Sequence, residues 1–386
     1  MKRKIVFFCS LSSFNTGMPI STFKLAAGLA QKECWDVFAI LPQEGELGSK
    51  LKARSVKLTI IPFHRFKTNP ISFLHFVFTY FLAGIRLYKF IRKNKIDIVH
   101  FSDLIDAPFY PWARISGAKV AAHVRVCIGR PFTRFMFKTW AFLFCSHIIT
   151  ISQFVKSYYG FHKRTSVVYN PGPDRELFSA DRYPRRTLNG VDDGTDNIPL
   201  VFTAASFRRE KGHHNFLKIA SLIKERFGAD VRFVIVGGKV QGHEEYYDEM
   251  MEEIKHLNLN SCLTVTGNIP HEKVPAIMAG ASVFMFAPEW EEALGGVILE
   301  AMAMNAAVVA YDCGGISECF TDGESGYLIK RGDFDAAADK IVTLLKSPSL
   351  IKNITDEARA ELDRKFTLDS YLDGVENIYE KLLEAR

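Results

Sequence analysis

The chain has 386 residues, more than a single hydrophobic core ordinarily organises, so two domains of roughly 150–200 residues are expected. With 48% apolar and 24% charged residues it is neither a disordered nor a fibrous chain. The net charge of +6 conceals an asymmetry. Residues 1–178 carry 26 Lys and Arg against 9 Asp and Glu (+17), with 22 of the 32 phenylalanines, whereas residues 179–386 carry 23 against 34 (−11). A basic, aromatic half joined to an acidic half implies two domains with different partners. The seven cysteines are odd in number and lack CxxC spacing, which excludes a disulfide scaffold and reads as reduced, core-filling thiols of a cytosolic protein.

In chain order, MKRKIVFFCS starts basic, but its apolar part ends at once in polar SSFNTG, so it reads as a first strand and not a secretory leader. KIVFFC (4–9), DVFAIL (36–41), VKLTII (56–61), DIVHF (97–101), AKVAAH (118–123), HIITIS (147–152) and TSVVY (165–169) are the expected strands of the front half. Between them, ISFLHFVFTYFLAGI (71–85) is interrupted by Ser72, His75 and Thr79. It falls short of the ~20 residues a spanning helix needs, which predicts a buried or interfacial helix. In GRPFTRFMFKTWAFLF (129–144), Arg130, Arg134 and Lys138 recur every four residues as one helical stripe. Phe135, Phe137, Trp140, Phe142 and Phe144 lie beside it, and Arg86, Lys89 and Lys93 form a second basic stripe.

The segment 179–198 is almost devoid of apolar residues and reads as a linker. Behind it, PLVFTAA (199–205), VRFVIVGG (231–238), CLTVTG (262–267), ASVFMFAP (281–288) and AAVVAYD (306–312) are the expected strands, and LDSYLDGVENIYEKLLEA is an amphipathic helix. HHN (213–215) and HEE (243–245) read as exposed polar runs. No internal repeat is present. Alternating strands and helices predict two parallel α/β sheets, with ligand at the carboxyl ends of the strands.

The stretch EEALGGVILEAMAM (291–304) carries the chemistry. Its first part lies on the loop from a strand end to a helix start, where Gly295 and Gly296 let a ligand approach the backbone and free N–H groups bind anions. Glu292 is on the loop and Glu300 one to two turns into the helix, at ~1.5 Å per residue, so both can face one site. A carboxylate accepts two hydrogen bonds from neighbouring hydroxyls, as a sugar or ribose diol offers. Two such carboxylates with amides between them suit a nucleotide sugar.

The run Phe286–Ile329 resembles the signature of glycosyltransferase family 4, with Glu292, Gly295, Glu300, Ala301, Gly314, Gly315, Glu318, Gly323 and Gly326 in step and Leu294 where the family usually has Phe. The resemblance implies that Glu292 faces the donor sugar, that Glu300 holds the nucleotide ribose, and that Leu294, Gly295, Gly296 and Val297 belong to the donor-binding loop. Glu318 either braces its own helix or touches ligand. SFRREKGHH (206–214) is similar to the family's diphosphate clamp: Lys211 and Gly212 match, Ser206 stands at the usual arginine, and Arg208, followed by Arg209, is the expected replacement. Gly17, with Thr16 beside it and Pro19 at an expected first helical position, is what remains of a glycine pair. His123 matches the histidine near the donor's reactive carbon, whereas the second family histidine is Ser102 here, leaving His100 a weaker candidate. Gly238, Gly267 and Ile269 are expected to act through backbone on the base and phosphate side. GDFD (332–335) contains an Asp-x-Asp, but Asp333 reads as a helix N-cap and no metal is expected.

The resemblance thus implies a GT-B architecture, two Rossmann-like domains facing a central cleft. Residues 1–178 would be the acceptor-binding domain, joined by the C-terminal helix 367–386; 179–198 would be the linker and 199–366 the nucleotide-sugar domain. The implied activity is retaining transfer from a nucleotide-diphosphate sugar, UDP-linked, to a hydroxyl of a glycan or lipid-linked acceptor in cell-surface polysaccharide synthesis, without metal or other cofactor. The basic, aromatic stripes suit an anionic membrane surface on the inner face of the cell membrane, and no nucleic-acid motif is present. The rival readings are a non-catalytic nucleotide-sugar-binding subunit, or an epimerase or phosphorylase on the same fold.

Overall fold

The computed structural model describes residues 2–14, 16–64, 70–183, 187–188, 191–192, 198–228 and 230–384, without the side chains of 70–78 and 184–197. The chain divides into two compact units, Met1–Pro171 with Leu368–Arg386, and Gly172–Thr367.

The first unit holds strands β1 (Arg3–Phe8), β2 (Trp35–Leu41), β3 (Lys57–Ile60), β4 (Ile98–Phe101), β5 (Lys119–Val124), β6 (His147–Thr150) and β7 (Thr165–Val167). They form one parallel sheet in the order β3-β2-β1-β4-β5-β6-β7. β1 is central, pairing Ile5 with Val37 on one side and Ile98 on the other, and Ile5, Val6, Phe7 and Phe8 are buried on both faces. That is why it reads as an unbroken apolar run and not an alternating one. The crossovers are α1 (Gly17–Ala30), α2 (Glu46–Ala53), α3 (Pro70–Asn94), α4 (Tyr110–Ile115), α5 (Pro131–Phe144) and α6 (Gln153–Tyr159). α1 begins at Gly17, so Pro19 is its third residue and not its first.

The second unit includes a short antiparallel pair, β8 (Thr187–Leu188) and β9 (Val191–Asp192), inside the segment expected as linker; 184–186, 189–190 and 193–197 lie outside the described residues. Its main sheet, all parallel, runs β12 (Leu263–Val265), β11 (Arg232–Val236), β10 (Leu200–Ala204), β13 (Val283–Phe286), β14 (Ala307–Tyr311) and β15 (Tyr327–Ile329). β15 was not among the expected strands. α7 (His213–Phe227), α8 (Glu244–His256), α9 (Val274–Met278), α10 (Gly296–Ala303), α11 (Phe334–Leu345) and α12 (Pro348–Lys365) complete this unit.

The last helix, α13 (Leu368–Glu384), returns to the first unit. Tyr371, Leu372, Val375, Ile378, Tyr379 and Leu382 fall at helical spacing and are buried in that unit's core with Leu25, Trp35 and Leu41. The charged side of α13 is pinned as well: Glu376 takes Trp35 Nε1 at 2.7 Å and pairs with Lys32, and Glu380 pairs with Arg3 at 2.8 Å. All seven cysteines are free thiols, five of them buried. Among the described residues no helix is long and apolar enough to cross a membrane.

Candidate functional site

Because the second sheet is parallel, the loops after β10, β11, β12 and β13 all leave from one edge, and they carry most of the residues singled out from the sequence. After β10 the chain makes a short 3-10 turn, Arg209–Lys211, and enters α7 through Gly212 at φ +70. A Cβ on Gly212 would stand 1.8 Å from the carbonyl oxygen of Ala287, so only glycine lets this loop lie against the one that follows β13. The close approach brings Lys211 Nζ to 2.5 Å from Oε1 of Glu292, with both side chains largely shielded.

His213 and Asn215 are buried, contrary to the expectation of an exposed HHN run. The ring of His213 stacks on Phe207 with centroids 4.2 Å apart, and burial lowers its pKa to about 4, so the imidazole is neutral. Asn215 Nδ2 donates to Ala287 O at 3.0 Å and to Glu289 Oε1 at 2.8 Å, and His214 Nε2 meets the same carboxylate oxygen at 2.8 Å. Burial raises the pKa of Glu289, but the hydrogen bonds from Asn215 and His214 prevail and hold it below the ordinary carboxylate value. These polar side chains at the start of α7 clamp the loop that carries Glu292. The two arginines differ. Arg209 is committed to α8, paired with Glu249 at 2.5 Å and lying over Tyr246 at 5.0 Å, while Arg208 is half-exposed with Glu210 at 3.7 Å.

The loop after β13 ends at Gly295, the N-cap of α10, and no side chain caps that helix. Gly296 and Val297 therefore present backbone N–H groups at its start. Leu294 is buried, its carbonyl accepting from Cys319 Sγ at 2.6 Å, so it acts as a packing anchor for the turn. On the other side of the loop, Gly315 N donates to Glu292 O at 2.8 Å, and Arg331 Nη2 holds Glu291 at 2.7 Å. Glu318 accepts Lys365 Nζ on its backbone carbonyl. Glu300, on the second turn of α10, has Oε1 3.2 Å from Nε2 of His271, which follows the loop carrying Gly267 and Ile269. That loop is tied to Gly238's loop by the antiparallel bridge between Gly237 and Gly267. Asp333 caps α11 through Ala336 N at 3.0 Å, and Asp335 pairs with Arg226.

The structure thus brings Lys211 to Glu292 and His271 to Glu300 on adjacent loops of one unit. Arg331, Asn215 and His271 are supporting residues that the sequence pattern did not mark. Only the position of His271, two residues beyond Ile269, hinted at one of them.

In the first unit, Gly17 opens α1 with free space around its Cα. His123 lies inside β5, fully buried, with its ring 5.4 Å from His100 and 6.1 Å from Tyr371 of α13. Burial, then the charge of Arg125, then His100 hold its pKa well below the usual value, so it is neutral. Arg125 donates to Ser102 O at 2.5 Å and to Tyr371 Oη at 2.8 Å, and Tyr379 Oη meets His100 Nδ1 at 2.7 Å.

Two family models match the chain: Glycosyltransferase Family 4 over residues 16–172 and Glycosyl transferases group 1 over residues 193–361. Among curated relatives, alpha-D-kanosaminyltransferase of Streptomyces kanamyceticus is 28% identical over 53% of this chain and 51% of its own length. N-acetyl-alpha-D-glucosaminyl L-malate synthase of Bacillus anthracis is 25% identical over 58% and 55%. The chain spans about half the length of these curated relatives. Among solved structures, HepE of Anabaena in complex with UDP and glucose superposes with a TM-score of 0.82 at 19% identity, covering 98% of this chain and 100% of that one. Such a likeness establishes the shared GT-B fold. With one of these models on each half and the Glu292–Glu300 loop inside the second, the chain belongs to the family 4 glycosyltransferases.

Proposed function

We propose that this protein transfers a sugar from a UDP-linked donor, with retention of configuration and without a metal ion, to a hydroxyl of a glycan or lipid-linked acceptor. The observation that carries this reading is the Lys211–Glu292 pair beside the uncapped start of α10. As the bond from the anomeric carbon to the diphosphate breaks, charge builds on the leaving oxygen, and Lys211, Arg208 and the Gly296 and Val297 amides supply compensating positive charge. Glu292 binds the donor sugar's hydroxyls and Glu300 the ribose diol. The acceptor oxygen bonds to the anomeric carbon, and its proton passes to the departing diphosphate, so no covalent intermediate with the chain is required. The UDP held by HepE favours this base. The test is release of nucleoside diphosphate by the purified chain across a panel of UDP-, GDP- and ADP-sugars. Release from none of them overturns the transferase reading and favours a binding subunit, the rival supported by the full burial of His123.

The proposed setting is the cytoplasmic face of a membrane. Of the ten large apolar side chains that stand exposed among the described residues, eight lie on α3, α4 and α5: Phe81, Leu82, Ile85, Ile115, Phe132, Phe135, Phe142 and Leu143. Such a concentration, close to the exposed Arg86, Lys89 and Lys93, supports docking to anionic lipid. It also changes which side of α5 meets the lipid. Arg134 lies over the ring of Tyr158 at 4.9 Å and Lys138 is half-buried, so the aromatic side and not the basic stripe is turned outward.

A further inference from the structure

His271 opens the 3-10 turn His271–Lys273, and its ring rests on Phe178, a fully buried side chain, with centroids 5.2 Å apart. Its Nε2 lies 3.2 Å from Oε1 of Glu300. A carboxylate only accepts hydrogen bonds, so Nε2 is the nitrogen that carries the hydrogen. Oε2 of Glu300 accepts no hydrogen bond from the described residues. A glutamate side chain in solvent gives up on the order of 1.5–2 kcal/mol of rotamer entropy when it is ordered. Here the ordering is done in advance, by a ring that is itself held by an aromatic contact.

We infer that His271 is a positioning residue for the nucleotide. It donates Nε2–H to Glu300 and fixes the carboxylate so that Oε2 and the remaining lone pair of Oε1 meet the ribose diol. This rests on the reading that Glu300 binds ribose, and it adds a residue that acts only through Glu300. Phe178 and His271 are thereby part of the donor site although neither needs to touch the nucleotide.

The experiment is a double-mutant cycle. Titration calorimetry first identifies which of UDP, GDP and ADP binds the wild-type chain most tightly. That nucleotide is then titrated into His271→Phe, His271→Gln, Glu300→Ala and His271→Phe/Glu300→Ala. His271→Phe keeps a ring on Phe178 and removes the N–H, whereas His271→Gln keeps the N–H. The expected result is an affinity loss of about 5- to 10-fold for His271→Phe, the size of one hydrogen bond, with most of it recovered in His271→Gln. In the Glu300→Ala background His271→Phe should cost nothing further, and in turnover its effect should fall on donor KM and not on kcat. Thermal melting of each variant separates these effects from loss of fold. If Glu300→Ala weakens binding but His271→Phe does not, or if the two losses add, the positioning role is wrong while the ribose reading stands. If Glu300→Ala leaves affinity unchanged, the ribose reading falls and the role of His271 with it.

Discussion

Gly314 and Glu292 share a backbone contact that no other residue at position 314 could make. A Cβ on Gly314 would lie 2.2 Å from the carbonyl oxygen of Glu292, and the glycine adopts φ +68. The candidate catalytic glutamate is therefore located by the neighbouring strand's loop as well as by its own. Gly314→Ala should cost about 1–2 kcal/mol for the left-handed backbone alone, and more for the overlap. The expected outcome is a lowered melting temperature together with loss of donor hydrolysis. Wild-type activity in this variant would mean that the position of Glu292 does not matter.

Lys211 is the cation nearest Glu292. Lys211→Ala should lower turnover on the order of 100-fold, the usual effect of losing one donor to a charge that develops in the transition state. Activity of the wild-type chain should survive exhaustive chelation. Activity that returns only with manganese would instead assign the diphosphate to a metal.

Membrane docking separates into two contributions that respond differently to salt. Sedimentation with vesicles containing anionic lipid should capture the wild-type chain at low salt and less of it at high salt, each basic residue near the surface contributing ~1 kcal/mol. Changing Phe132, Phe135 and Phe142 together to Ser should weaken binding at every salt concentration. Changing the exposed Arg86, Lys89 and Lys93 together to Ser should act mainly at low salt, whereas the same change at Arg134 and Lys138, whose side of α5 is covered, should act little. A wild-type chain that stays in the supernatant at low salt ends the proposal.

Glu376 links α13 to the first unit. Burial raises its pKa, but the hydrogen bonds from Lys32 and Trp35 outweigh this and hold it below the ordinary carboxylate value. A depressed folded pKa stabilises the fold above the unfolded value, about 4.3, and that contribution is lost as pH falls through the folded one. Glu376→Gln should therefore melt earlier than wild type at pH 7, and the gap should close on acidification below about pH 4.3. A gap that stays constant to pH 3 would show that the charge of Glu376 contributes nothing.

Much of the fold was legible because the central strands, β1 and β4 in one sheet and β13 and β14 in the other, are buried on both faces and so stand out as apolar runs. β15 was missed because Tyr327–Ile329 is only three residues long and lies among turn glycines. Glu292, Glu300 and Lys211 were legible from local spacing, but their partners were not. Asn215 and His271 meet their targets 74 and 29 positions away, through loops that only the parallel sheet brings together. The burial of His123 depends on tyrosines in α13, more than 240 residues later, which no local pattern encodes. The stripes of α5 show the same limit. Helical periodicity places Arg134 and Lys138 on one side, but only the position of Tyr158 in α6 decides that this side is covered.

The return of α13 to the first unit sets an order of synthesis. Arg125 and His100 reach their tyrosine partners only when residues 371 and 379 have emerged, after the whole of Gly172–Thr367 has been translated. During translation, units generally fold in the order in which they emerge. Here the intervening unit can close first, while the earlier one waits with a buried arginine, two histidines and a flank of Leu25 and Trp35 uncovered. Completion of the first unit's core therefore requires α13, whose buried face supplies Tyr371, Val375 and Tyr379 to it.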